Sequence, residues 1–194
     1  MWWLIPIGIG ILVKAVYDSA TEEEVLARRE WESKKDEVKQ KVVDHRKALE
    51  EHLKSAKQKC DFHELTNVHF SSMMVGNLAH ANLKNAQSSL DGIGKMLISA
   101  KEKRDVLYKQ IFEEKNDNKR KLLNEEFDCI GELRASLFND KDKIKAQRDE
   151  IKDELKRINQ QTHELKVLIK DRCGSKGLEW YNKIEAKKLM PNKR

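Results

Sequence analysis

The sequence predicts an all-α protein, a long antiparallel coiled-coil hairpin or three-helix bundle preceded by a short N-terminal membrane-anchor helix. Three observations predict it. The only prolines are Pro6 and Pro191, whereas average usage near ~5% would place about nine in the interval between them. Charged residues make up 37% of the chain and aromatics only 6%, which suits helices sharing a narrow apolar seam better than a thick globular core. Finally, apolar residues recur by alternating threes and fours through most of the chain, which is heptad spacing.

The N-terminal element is read from residues 2–13, WWLIPIGIGILV, which carry no charge. Beyond Lys14 the apolar run resumes with Ala15, Val16 and Tyr17. Sixteen helical residues reach ~24 Å against a hydrocarbon core of ~30 Å. Interface-seeking Trp2, Trp3 and Tyr17 and the long stem of Lys14 soften that shortfall. Trp2, Trp3, Leu4, Ile5, Ile7, Ile9, Ile11, Leu12 and Val13 are the expected anchor. No basic residue precedes the run, and cleavage after Ala20 would put Asp18 where a small residue belongs, so the segment reads as uncleaved. Lys14, Arg28, Arg29, Lys34 and Lys35 all follow it. The positive-inside rule therefore predicts a single-pass membrane protein with its coiled-coil region in the cytoplasm. The competing expectation is a helix buried against protein or lying in the headgroups.

Residues 18–62 read as a first long amphipathic helix, with Trp31, Val38, Val42, Leu49 and Ala56 on one stripe. His45 and His52 share it, so that seam is polar in places. Exposed pairs such as Glu37/Lys41 and Glu50/Lys54 have the favourable acid-first order one turn apart.

Residues 63–172 read as an antiparallel coiled-coil hairpin turning near 116–118, where Asn116-Asp117-Asn118 lies among charged residues. The first arm places Leu83, Leu90, Ile93, Leu97, Leu107 and Ile111 on the seam. The second places Leu123, Phe127, Ile130, Leu137, Ile144, Ile151, Leu155, Ile158, Leu165 and Ile169 there. Reversal about Asp117 pairs residues whose numbers add to 234. Leu97 then faces Leu137, Leu90 faces Ile144 and Leu83 faces Ile151. Small residues face large ones, Ala100 with Arg134, Ala86 with Arg148 and Gly76 with Ile158, as close packing requires. Arg104, Arg134, Lys141 and Arg148 occupy seam positions, where polar groups set register at a cost in stability. Gly92 and Gly94 read as tolerated interruptions of a helix rather than a hinge.

Cys173-Gly174-Ser175-Lys176-Gly177 reads as a helix stop followed by a short linker. The remaining tail, within residues 173–194, is a short basic amphipathic stretch. The chain's formal net charge of +6 is concentrated near this end, because the residues before 166 balance. Trp180, Tyr181, Lys183, Lys187 and Lys188 are the candidate partner-binding residues.

No chemistry-bearing motif emerges. Phosphate loops, GxSxG and HExxH are absent, and Gly92-Ile93-Gly94-Lys95 has no preceding strand. A zinc site from Cys60, His63 and His69 matches no compact zinc module. Three scattered cysteines, Cys60, Cys129 and Cys173, suggest packing thiols in a reducing compartment. The expectation is accordingly no enzyme, no cofactor, no metal and no small-molecule substrate. The function expected is that of a membrane-tethered scaffold or adaptor acting through self-association or a helical protein partner. The alternatives are a membrane-perturbing effector assembled by its coiled coil, and a nucleic-acid or anionic-lipid binder working through the basic tail.

Overall fold

The computed structural model describes residues 7–56, 58 and 61–189, with the side chains of 7–10, 188 and 189 outside the description. The described residues form five helices joined by short connections: α1 (Ile7–Tyr17), α2 (Glu22–Ala56), α3 (Phe62–Glu113), α4 (Asp117–Arg172) and α5 (Gly174–Leu189). The protein is all-α. Two compact units form, one from Met1–Ser33 with Lys84–Arg148 and one from Lys34–Leu83 with Asp149–Arg194.

In the first unit α1 ends where Ser19 Oγ donates to the Val16 carbonyl, 2.6 Å. Thr21 then opens α2 with a capping box: its hydroxyl accepts from Glu24 N, 3.3 Å, and Glu24 Oε2 accepts from Thr21 N, 2.8 Å. These reciprocal bonds satisfy amides that a helix start leaves unpaired. Glu24 also pairs with Lys95 of α3, 2.7 Å, and Glu30 accepts from Asn85 Nδ2, 2.8 Å. Arg28 reaches Asp140 of α4. Arg104 lies over the Phe127 ring, 4.1 Å from its centroid, and Arg148 donates to Gln87, 3.0 Å. Trp31, Ile93, Ala100, Ile130 and Ile144 are buried at the centre. The reversal between α3 and α4 occupies Glu114 to Asn116, so Asp117 and Asn118 already belong to α4. Asn116 Oδ1 caps that helix by accepting from Lys119 N, 3.1 Å, and the Arg120 guanidinium binds the Glu114 carbonyl.

In the second unit Asp61 caps α3, its Oδ1 accepting from His63 N and Glu64 N at 2.8 and 3.1 Å. His45 meets Ser72 at 2.9 Å and His52 meets Glu64 at 3.3 Å. Arg46 of α2 pairs with Glu154 of α4, 2.6 Å. Val42, Leu49, Leu65, Ile151, Ile158 and Leu165 are buried between them. Within each unit α3 therefore runs antiparallel to both α2 and α4. The contacting α3/α4 pairs Arg104–Phe127, Arg104–Gly131, Gln87–Arg148 and Gly76–Leu155 have numbers adding to 231–235.

The N-terminal segment differs from expectation. Among the described residues no helix is long and apolar enough to cross a membrane, which overturns the single-pass placement and, with it, a cytoplasmic orientation for the rest. α1 covers 11 residues, a rise of ~16 Å against a ~30 Å hydrocarbon core. Its side chains differ: Val16 is fully buried, whereas Ile11, 64% exposed, and Leu12 line an open groove with Val106 and Leu107 of α3. Of the expected anchor, Ile11, Leu12 and Val13 thus belong to this helix, as do Ile7 and Ile9 by backbone position. Trp2, Trp3, Leu4 and Ile5 lie outside the described residues.

Candidate functional site

A concave surface lies in the second unit, where α5 folds back on α3 and α4. Its placement depends on two glycines. Gly174 has φ +60°, the left-handed conformation that ends α4 and that glycine adopts without steric cost. Gly177 then presses its Cα against the end of α4, where an added Cβ would stand 2.1 Å from the Ile169 carbonyl oxygen. The expected linker is therefore absent, and α5 is helical from Gly174 onward.

So positioned, α5 makes three polar or aromatic attachments. The Trp180 ring meets the His69 imidazole edge to face, centroids 5.0 Å apart at 86°. Tyr181 lies beneath Lys166 Nζ and Lys170 Nζ at 5.0 and 4.9 Å. Lys166, whose side chain is only 6% exposed, is paired with Glu185. A buried ammonium needs such a partner, because desolvation otherwise disfavours its charge.

The groove, half open to solvent, has a volume of about 650 Å³, within the usual ~300–1,000 Å³ of ligand sites. Phe70 and Met73 of α3 and Trp180 and Ile184 of α5 supply apolar wall, Thr162 and Lys166 of α4 supply polar groups, and Lys183 and Lys187 stand on α5. The Thr162 hydroxyl is buried without a hydrogen-bond partner among the described residues.

A second feature adjoins it. Residues 65–83 contain no Asp, Glu, Lys or Arg, although more than a third of the chain is charged. Within this run Leu65, His69, Ser72, Gly76, Ala79 and Asn82 are buried, whereas Phe70, Met73, Met74 and Leu78 are 65, 52, 55 and 39% exposed. Several of the inward positions are small or polar, and large apolar side chains point out.

Of the anticipated seam, Leu90, Ile93, Leu97, Leu107, Ile130, Leu137, Ile144, Ile151, Leu155, Ile158, Leu165 and Ile169 are buried. Leu83, Ile111, Leu123 and Phe127 are half-buried. The anticipated partner-binding residues are divided. Trp180 and Tyr181 are half-buried and engaged within the unit, Lys183 and Lys187 are exposed, and the Lys188 side chain lies outside the description. Engagement of both rings leaves them poorly placed for base stacking. No group of three His, Cys, Asp or Glu residues able to hold a metal occurs among the described residues; Cys60 lies outside them. Spacing places Thr162 only on the seam and does not single out Lys166 or the outward apolar row, although the absence of charge from 65 to 83 is a readable signal.

Comparison with known protein families, curated proteins and solved structures finds no match.

Proposed function

We propose that the chain is a helical scaffold without catalytic activity, built on an α3/α4 coiled-coil hairpin flanked by α2. It acts by associating with a second copy of itself through the outward face of α3. The observation that carries this reading is the row Phe70, Met74 and Leu78, exposed at successive turns within a charge-free stretch. Cores of protein interfaces are depleted in charge and enriched in aromatic residues and methionine. A face without charges can meet its own copy about a two-fold axis with no like-charge repulsion. Full burial of each such side chain is worth ~1.5–3 kcal/mol.

Light scattering on the full chain tests this reading. The expected mass is twice the chain's 22.7 kDa. Met74→Lys with Leu78→Lys should return it to a single chain with unchanged helix content, because both residues are exposed. A single-chain mass at every concentration, or a doubly substituted protein that still pairs, refutes the proposal.

A further inference from the structure

The geometry points to the α3/α4/α5 groove as a binding site for a single-chain amphiphilic anion, an acyl or alkyl chain ending in a carboxylate or phosphate. Its walls and its charge argue separately for the two halves of such a molecule. Phe70, Met73, Trp180 and Ile184 give it an apolar lining from two helices, suited to hydrocarbon. The charge of its lining is of one sign. Lys166, Lys183 and Lys187 contribute to it together with the imidazoles of His69 and His163, and no carboxylate is among its lining residues. Lys166 is already paired with Glu185.

Lys183 and Lys187 are different. Neither makes an ion pair among the described residues, and they stand one helical turn apart, an arrangement in which like charges disfavour the helix. An anion held between them removes that repulsion. These polar and cationic groups make the groove a poor seat for the charge-free face of a second copy, which brings no anion. An amphiphile with one anionic end satisfies both the lining and its charge.

Calorimetric titration of the full chain with dodecanoate below its micellar concentration is the test. One saturable site per chain is expected, shared by dodecyl phosphate. Dodecanol, which lacks the charge, and inorganic phosphate, which lacks the chain, should each bind at least about tenfold more weakly. Met73→Trp, which fills the groove, should abolish binding. Lys183→Glu with Lys187→Glu, at exposed positions that leave the fold intact, should weaken dodecanoate by about tenfold or more while sparing dodecanol. Met74→Lys with Leu78→Lys, which leaves the shared Phe70 in place and alters no lining residue of the groove, should leave the affinity of the single chain unchanged. Absence of saturable dodecanoate binding overturns the proposal. So does equal binding of dodecanol, or unaltered dodecanoate affinity in both groove variants.

Discussion

Replacing Gly177 by alanine should detach α5 while leaving the rest of the second unit folded. The added methyl would stand 2.1 Å from the Ile169 carbonyl oxygen, 3.1 Å from its carbon and 3.0 Å from Cys173 Cβ. Two of those atoms are backbone, and Ile169 is fully buried, so the end of α4 cannot retreat. α5 must lift instead, which forfeits what holds it. The Trp180–His69 edge contact is worth ~0.5–1.5 kcal/mol, and the Tyr181 contacts with Lys166 and Lys170 about 0.5–1 kcal/mol each. The Lys166–Glu185 pair, discounted because Glu185 is 39% exposed, adds ~1 kcal/mol. Since these terms share residues and do not add fully, docking should weaken by roughly 2–4 kcal/mol. Amide hydrogen exchange reads this directly: protection from Tyr181 to Ile184 should fall by about thirtyfold to several hundredfold, with the amides around Ile151 and Ile158 unchanged. Gly174→Ala provides a graded comparison, costing ~1–2 kcal/mol for an alanine held at positive φ. Exchange in α5 of the Gly177→Ala protein that stays within about threefold of the parent, or loss of protection throughout α4, would refute the reasoning.

The start of α2 and the polar seam of the second unit give two further outcomes. Thr21→Ala removes half of a capping box and should cost ~1 kcal/mol in thermal unfolding. The carboxyl of its partner Glu24 is held below its ordinary value by the Lys95 ammonium and then by the Thr21 amide. Its stabilising contribution is therefore complete above pH 4.5 and lost as pH falls through the lowered value, so Glu24→Gln should flatten the acid limb of a stability profile. His45 is pulled below its ordinary value of 6.5 by burial and then by the charge of His52. A depressed imidazole favours the fold above that value and loses its contribution as pH falls, so melting temperature should decline from about pH 7 to 5. His45→Gln should reduce that slope, and an unchanged slope would count against the assignment.

The helical class was legible because it follows from local spacing. Register arithmetic put contacting numbers at 234, and observed pairs such as Arg104–Gly131 and Gln87–Arg148 add to 235. Gly76 meets Leu155 rather than Ile158, about one turn along the same stripe, as a staggered interdigitating seam allows. The position of α5 was not legible, because it is set by contact between Gly177 and a backbone carbonyl whose direction no periodicity encodes. The role of Gly92 was hidden for the same reason: a methyl there would lie 2.9 Å from Glu24 Cβ, so this glycine permits close approach of α2 rather than merely interrupting α3. Hydropathy misled at the N-terminus, since an apolar run of this length carries the same signal whether lipid or protein covers it. What decides is length: the helix there has 11 residues, and among the described residues none is long and apolar enough to cross a membrane.

The same distinction explains why α3 is the informative helix. A frame that follows only seam positions takes His69, Ser72, Gly76 and Ala79 and passes over Phe70, Met74 and Leu78, which are offset from it. In a lone chain this orientation is costly. A helix ordinarily buries its larger apolar side chains and exposes its small and polar ones, and the polar groups buried here need partners. They have them in part: the Ser72 hydroxyl donates to the Val68 carbonyl, 2.9 Å, and accepts from His45 Nε2, 2.9 Å, which places a proton on Nε2. Rotating α3 to bury Phe70 would break this network and drive bulk into a space sized for Gly76 and Ala79. The inward polar bonds therefore hold the apolar row outward, and substituting Ser72 by alanine should weaken association as well as stability, because the face presented to the second copy is oriented from beneath.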